Sequence, residues 1–364
     1  MISRLLLGVQ ERHPGYVARI LLAGARIVGP IILSGAQTEY ELHQISCWLD
    51  DIPDFTNATS ATVTFVTSRI PGLSGGGWRV SGTLAVTHSR SDGEIVLSDA
   101  SITGSLILTG ATIRHPGELA LNLDGVACAD LLLPAHVDGC CDLRHAQVGT
   151  LYVPNVAEQP PTRLAGLTYT TLDLGDTAPV HQQIAWLHRD PDGFHPQPYE
   201  QLAAYHRGAG NDRDARRVLL AKHRARRRHV PRTWRLPRLL RPLHPALAAV
   251  WQIPGWLYDG LSGYGYVPWR AVPWLLAASA TGALTLRDVA ASHPTDTTWI
   301  NAVLLGLDAT LPTHPLGVHD PVSLTGEHHL VALALRIVGY AVVLSVIPAV
   351  IRAVGRHLTG ALQQ

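Results

Sequence analysis

The chain repeats a pattern of seventeen residues, Ile20-Leu-Leu-Ala-Gly-Ala-Arg-Ile-Val-Gly-Pro-Ile-Ile-Leu-Ser-Gly-Ala36, which returns without a gap as Ile95-Val-Leu-Ser-Asp-Ala-Ser-Ile-Thr-Gly-Ser-Leu-Ile-Leu-Thr-Gly-Ala111. A third, degenerate copy is Cys141-Asp-Leu-Arg-His-Ala-Gln-Val-Gly-Thr-Leu-Tyr-Val153. Apolar and polar residues alternate in these copies, which indicates strands with one buried face. Small residues at fixed spacing let successive turns stack closely. The repeat therefore predicts a β-solenoid of either hand over residues 1–175.

A solenoid needs covered ends, because open strand edges pair with other chains. The apolar stretch Ile2–Val9 is expected to cap one end, and Leu164–Asp173 is expected to close the other. Two segments lack the repeat and predict loops inserted between turns, Trp48–Thr59 and Ser68–Gly77. Ala100 is expected to face the interior.

The composition changes after Pro179, where helical spacing replaces alternation. Helices are predicted over Val180–Leu187, Tyr199–Gly208 and Asp212–Arg228, and a proline pair at 196 and 198 suits the first turn of the second helix. Residues 176–230 are therefore expected to form a helical hairpin like a single tetratricopeptide-type repeat. Four side chains are expected to pack between its arms: Leu202, Tyr205, Ala215 and Leu219.

A basic run follows, although the whole chain has 29 basic and 28 acidic residues. The 35 residues from Arg207 to Arg241 hold thirteen Lys or Arg against two acids. Such a run suits anionic lipid head groups, at about 1 kcal/mol per basic residue, or nucleic acid. It lies just before an apolar span, so lipid is favoured over nucleic acid. Residues 231–268 are expected to form a basic membrane-interface collar, and the predicted contacts are Arg224, Arg226, Arg227, Arg228, Arg235, Arg238 and Arg241.

Two apolar stretches predict a transmembrane hairpin over residues 269–364. They are Ala271–Leu286 and Leu330–Ile351, the second interrupted by Arg336. The first is short for a hydrocarbon core of about 30 Å unless arginines at both ends reach the interface. Its entry carries the predicted interface residues Trp269, Arg270 and Trp274, as aromatic belts do. Two buried core helices of a soluble domain are the alternative interpretation.

Charge asymmetry orients this hairpin. Residues 288–335 contain no Lys or Arg, whereas the flank before the first span is strongly basic. The positive-inside rule predicts an outer loop over 288–329, with both termini in the cytoplasm and the protein in the plasma membrane. Within that loop, residues 300–311 are expected to lie on the outer surface or to dip into the membrane as a re-entrant segment. The second case would make Asn301 and Asp308 the polar residues of an oligomeric pore.

Motifs for chemistry are weak. The esterase-like Gly72-Leu-Ser-Gly-Gly76 is interpreted as a flexible glycine loop, because nothing indicates the strand-to-helix elbow that a nucleophile needs. The four cysteines lack metal-ligand spacing and are expected to be free and mostly buried. Histidines in the outer loop have no spacing that fixes a metal geometry. No cofactor and no catalytic residue is predicted, and a dinucleotide-binding fingerprint is absent from the sequence.

Several blocks together resemble an actinobacterial family whose members are often labelled membrane-associated oxidoreductases and are similar to pentapeptide-repeat proteins with a two-span tail. The blocks are the repeat itself, the closing Leu164–Tyr169, Pro196–Ala203, Asp214–Leu219 and Ser262–Ala271. The resemblance implies the architecture and does not assign a reaction. The expected function is a membrane-anchored, non-enzymatic scaffold that binds lipids and either a protein partner or itself. An oligomeric pore is the alternative, and a redox enzyme is a third interpretation.

Overall fold

The computed structural model describes residues 2–7, 19–175, 178–230, 244–264, 266, 268–285, 303, 306–308, 310, 330, 333–344 and 347. By its internal contacts the chain divides into two units, Met1–His229 and Val230–Gln364. We call them the solenoid unit and the C-terminal unit.

The solenoid unit contains a β-solenoid of about seven turns, built from two sheets in which every pair of strands is parallel. The first sheet holds β1 (Arg19–Ala23), β3 (Glu41–Ile45), β5 (Thr59–Ser60), β6 (Val63–Val66), β9 (Arg79–Val80), β10 (Leu84–Thr87), β13 (Ser101–Ile107), β15 (Ala127–Leu132), β17 (Gln147–Tyr152) and β19 (Thr168–Asp173). The second holds β2 (Arg26–Ile27), β4 (Trp48–Leu49), β7 (Arg69–Ile70), β8 (Leu73–Ser74), β11 (Arg90–Ser91), β12 (Ile95–Val96), β14 (Thr112–Asn122), β16 (His136–Asp142) and β18 (Thr162–Arg163).

Stacked apolar side chains form the core of the solenoid. One ladder runs through seven successive rungs, and each member is aligned with the next in the strand register: Leu42, Val63, Leu84, Leu106, Leu131, Leu151 and Leu172. All seven are buried. In the early rungs a buried aromatic pair fills the interior, with the rings of Phe55 and Trp78 stacked at 4.1 Å. The predicted inward position of Ala100 is confirmed.

The prediction of two inserted loops was wrong. Both segments belong to regular rungs: β4 and the residues before β5 in one case, β7 and β8 in the other. Five of their apolar residues lie in the common core: Leu49, Phe55, Ala58, Ile70 and Leu73. The strands here are two residues long, and hydrogen bonds to neighbouring rungs define them, so the local sequence shows little alternation.

The two sequence copies also occupy different sides of the solenoid. Ile20 lies on β1 of the first sheet, whereas its counterpart Ile95 lies on β12 of the second. Likewise Ile27 is on β2 and its counterpart Ile102 on β13. The copies are therefore out of phase around the turn. This is compatible with the fold because each side needs the same inward apolar residue and the same small residue at the corner.

Helices cover the last rung of the solenoid. The expectation that Leu164–Asp173 itself closes that end was wrong, because this segment forms the final rung with β19. Two glutamines of helix α3 (Pro196–Gly208) form hydrogen bonds with the backbone of this rung instead. Gln197 accepts from Gly166 N at 3.0 Å and donates to Leu167 O at 2.7 Å, and Gln201 donates to Tyr169 O at 2.6 Å. Of the cap predicted over Ile2–Val9, the structure describes α1 (Ile2–Leu6), which contributes the buried side chain of Leu6 to the core, whereas residues 8 and 9 lie outside the described residues.

The three predicted helices are confirmed as α2 (Val180–Leu187), α3 (Pro196–Gly208) and α4 (Asp212–His229). Leu202 and Ala215 are buried in the shared core, and Tyr205 and Leu219 pack against it. Trp186 of α2 donates to Thr162 Oγ1 at 3.4 Å, so α2 is bonded to the solenoid as well.

The C-terminal unit contains α5 (His244–Ser262), a 3-10 turn (Pro268–Arg270) and α6 (Ala271–Thr285). Pro254 lies inside α5. Helical residues are also described between 303 and 310 and between 330 and 347. Among the described residues, no helix is both long and apolar enough to cross a bilayer. The 15 residues of α6 extend about 22 Å at 1.5 Å per residue. The predicted transmembrane hairpin is therefore not supported by the helices that the structure describes.

Candidate membrane interface

The four arginines predicted to contact lipid in the described part of the basic run lie on the last two turns of α4: Arg224, Arg226, Arg227 and Arg228. Arg226 and Arg228 are exposed, and Arg224 and Arg227 are half-buried. Acidic Asp212 and Asp214 occupy the first turn of this helix, so charge is separated along it in the sense that the helix dipole favours. The other predicted contacts, Arg235, Arg238 and Arg241, lie outside the described residues.

The three predicted interface residues at the start of the first apolar stretch come together around the 3-10 turn and α6. Trp269 and Trp274 are exposed. Trp274 donates its indole N–H to Gly260 O at 3.3 Å, and Arg270 donates to Asp259 O at 3.5 Å. Both bonds reach the last turns of α5. Two tryptophans thus present their rings outward while backbone contacts fix the position of their helix.

Large apolar side chains cover the outside of the C-terminal unit. They occur on α5, on α6 and on the helical residues from 303 onward. The exposed ones are Leu247, Val250, Trp251, Ile253, Trp256, Leu257, Trp269, Val272, Trp274, Leu276, Leu284, Val303, Leu330, Leu333, Ile337, Val338, Tyr340, Leu344 and Ile347. An apolar surface of this extent marks contact with a membrane or with another protein.

Polar and small residues lie inside this unit. Ser279 and Thr310 are buried, and their hydroxyl oxygens lie 3.2 Å apart. Glycines allow the backbones to approach: a Cβ added to Gly282 would lie 2.9 Å from Gly306 Cα, and one added to Gly339 would overlap the carbonyl of Thr310. Close packing through small residues, with hydroxyls bonded across helices, is typical of helices in lipid.

The two predicted pore residues have different outcomes. Asn301 lies outside the described residues. Asp308 is helical and almost fully buried, at 2% exposure. Its side chain is therefore withdrawn from the surface of the chain.

A charge cluster centred on buried Asp142 joins the last rungs to the loop between α2 and α3, and no sequence motif pointed to it. Burial raises the pKa of Asp142, but bonds from Arg144 and Arg163 outweigh this effect and hold its pKa below the usual range. These bonds are 2.7 Å and 3.2 Å long. Arg163 also pairs with Asp192 at 3.3 Å, and Asp190 accepts from Leu164 N at 3.2 Å. Each charged side chain has a hydrogen-bond or ion-pair partner, so the cluster fixes the loop between α2 and α3 to the last rungs.

The remaining candidates for chemistry lie in ordinary structural surroundings where the structure describes them. Ser74 lies on β8, with its hydroxyl 3.0 Å from Thr56 Oγ1, so the interpretation of its segment as a flexible loop was wrong. All four cysteines are free, as expected, and burial raises the pKa of Cys128 to about 12. Within the described ranges no group of His, Cys, Asp and Glu could hold a metal ion. The outer-loop histidines lie outside them.

Comparisons of the chain with protein-family models, with curated proteins and with solved structures found no match. The family resemblance of the sequence blocks therefore stays a prediction.

Proposed function

We propose that the protein is a membrane-anchored, non-enzymatic scaffold. The solenoid unit would stand in the cytoplasm as a rigid interaction surface, and the C-terminal unit would hold it in the plasma membrane. Its partners would be anionic lipids together with a protein or a second copy of the chain.

One observation supports the membrane part of this proposal: in the described part of the C-terminal unit, many large apolar side chains are exposed while several polar side chains are buried. Trp251, Trp256 and Leu276 are exposed, whereas Ser279, Asp308 and Thr310 are buried. In water, exposed apolar side chains contribute no hydrophobic free energy to folding, and buried polar groups lose their hydrogen bonds with water. In lipid the same arrangement is favourable, because exposed apolar side chains meet acyl chains and polar groups find partners within the protein.

The proposal places a condition on the first apolar stretch. Helix α6 is shorter than the hydrocarbon core, so the sequence from 271 to 286 would span only if Arg270 and Arg287 reach the two interfaces. Exposed Trp269 and Trp274 beside Arg270 suit the head-group level. The arginines at the end of α4 precede this unit in sequence and would add electrostatic attraction to anionic lipid.

An oligomeric pore is the second candidate, and the burial of Asp308 bears on it. A residue that lines a pore between subunits must face the axis, but Asp308 is enclosed within its own chain. This favours the scaffold. A reconstituted bilayer tests the alternative: single-channel currents whose cation selectivity changes in Asp308→Asn would replace the scaffold with a pore.

Membrane fractionation of cells that express the full chain tests the anchor. The protein should sediment with membranes and resist an alkaline carbonate wash, which removes peripheral proteins. Reporter fusions after Gly326 should read as external and those after Gln364 as cytoplasmic. Release into the wash, or a cytoplasmic signal from the Gly326 fusion, would contradict the proposed hairpin.

A further inference from the structure

Helices α2 and α4 flank an open groove within the solenoid unit, with a volume of ≈ 580 Å³. This is within the range of about 300–1,000 Å³ found for ligand sites. The groove is lined by two sets of side chains. The apolar set is Val180, Ile184, Ala185, Leu220 and Ala221, and the basic set is His181, His188, Arg217, Arg224 and Arg228.

The helical spacing aligns the basic residues along the groove. His181 and His188 are seven residues apart on α2, so both lie on one face. Arg217, Arg224 and Arg228 are separated by seven and four residues on α4, which again places them on one face. The result is an apolar floor with a row of basic side chains contributed by each helix.

The positive charge of the groove is carried by the three arginines of α4. None of the described residues that line it is Asp or Glu. Arg217 has one acidic neighbour, Asp214, at 3.0 Å on the same helix, with the arginine side chain 50% exposed. An exposed pair of this kind contributes little stability, so a ligand carboxylate can replace it. Burial, and next the nearby Arg228, lower the pKa of His188, which agrees with a positive field here.

The length of the basic row decides the kind of ligand. Arg217 and Arg228 are eleven residues apart, about 16 Å along α4. A single phosphate cannot reach both. An amphipathic helix with an apolar stripe beside acidic residues can, because its stripe would cover the floor and its carboxylates would meet the arginine row of α4.

We infer that the groove between α2 and α4 binds an acidic amphipathic helix of a protein partner. This deepens the proposed scaffold function and rests on it, since it names the chemistry of the partner. It also divides the arginines of α4 into two groups: Arg224 and Arg228 line the groove, whereas Arg226 and Arg227 do not.

Fluorescence anisotropy with the full chain in neutral detergent tests the inference. The probe is a labelled synthetic helix of about four turns, with leucines on one stripe flanked by glutamates. The reference peptide has glutamine in place of each glutamate. The acidic peptide should bind at least about tenfold more tightly than the reference.

Charge reversal provides the specific test. Arg224→Glu should weaken binding of the acidic peptide by about tenfold. Arg213→Glu is the matched control, because Arg213 is an exposed arginine of α4 outside the groove and its reversal changes the net charge equally. The control should change the dissociation constant by less than about twofold, since only screened long-range attraction is lost. The circular dichroism of both variants should match that of the wild type.

Two results would overturn the inference. If both variants bind the acidic peptide equally weakly, the peptide is attracted to the overall positive charge of α4 and not to the groove. Absence of peptide binding, together with an Arg224-dependent association with anionic phospholipid vesicles, would assign the groove to lipid head groups. Neither result depends on whether the C-terminal unit spans a bilayer, because the peptide assay is done in detergent and anchoring is measured by fractionation.

Discussion

The two units of this chain place their apolar side chains in opposite directions. In the described part of the solenoid unit, large apolar residues stack inward, and the exposed exceptions number seven, all before residue 53. In the described part of the C-terminal unit, nineteen are exposed, although far fewer of its residues are described. The difference agrees with the proposal that the two units meet different surroundings, water for the first and lipid for the second.

Buried carboxyl groups occur in both units, at Asp142 and Asp190 in the first and at Asp259 and Asp308 in the described part of the second. On the outer faces of the solenoid, charged residues pair between rungs, as in Arg19 with Glu41 at 3.2 Å and Arg69 with Asp92 at 2.7 Å. Exposed pairs contribute about 1 kcal/mol or less, so the ladders follow from the stacking and do not drive it.

The largest effect is expected from a charge in the core of the solenoid. Ala100→Glu should destabilise the unit by more than about 4 kcal/mol, because a carboxylate would be buried without a partner. Ser101→Glu is the control one position along, where the side chain is exposed. Thermal unfolding followed by circular dichroism compares them. Equal melting of the two variants would mean that inward and outward positions are not distinguished.

A charge on the outside of the C-terminal unit should have a different outcome. Leu276→Asp places a carboxylate at an exposed position of α6 and should weaken membrane insertion by about 3 kcal/mol. The solenoid should melt as in the wild type. Leu276→Val keeps the site apolar and is the control. The measurement is the fraction that an alkaline wash releases from membranes. If Leu276→Asp stays bound as firmly as the control, α6 does not face lipid.

The sequence predicted the features that depend on neighbouring residues, and it missed the features that depend on hydrogen bonds between rungs. Alternation identified the solenoid, and helical spacing gave α2 and α4 to within a residue. The rungs of β4, β5, β7 and β8 were missed, because two-residue strands between proline and glycine corners resemble loops. Their hydrogen bonds go to residues about 20 positions away, as from Arg69 N to Cys47 O at 2.8 Å. The phase between the two sequence copies was missed for the same reason.

The candidate interface was predicted only in part. Tryptophans, arginines and charge asymmetry are visible in the sequence. The buried set around Ser279 and Thr310 is not, because it depends on which faces of separate helices meet. The groove between α2 and α4 could have been found from its spacing: basic residues seven apart on both helices are a readable signal once the helices are assigned.

A smaller effect should reveal how rungs are stacked at one corner. Gly35 and Gly125 occupy equivalent corners with left-handed backbones, at φ +67° and +69°. A Cβ on Gly125 would meet Asp99 Oδ1 on the preceding rung, whereas one on Gly35 would meet nothing within 4 Å. Both alanine variants should lose stability through the unfavourable φ. Gly125→Ala should lose about 1 kcal/mol more, since Asp99 must move. Equal losses in denaturant unfolding would mean that contact between rungs does not restrict this corner.

The smallest expected effect is a dependence of the solenoid unit on pH. His206 is buried, and its Nε2 lies 2.9 Å from Gln183 Oε1 while its Nδ1 has no hydrogen-bond partner. Burial lowers the pKa of His206, and burial together with Arg228 lowers that of His188. The unfolded chain therefore binds more protons than the folded one below the ordinary value of 6.5, so the free energy of unfolding should fall as the pH drops below that value. Above this pH the two histidines contribute nothing to the dependence of the free energy of unfolding on pH.

His206→Gln should make the free energy of unfolding depend less on pH, because one of the two neutral imidazoles is gone. Denaturant unfolding of the wild type and the variant, above and below pH 6.5, measures this dependence. A free energy of unfolding that rises with acidification would show that burial does not hold these histidines neutral.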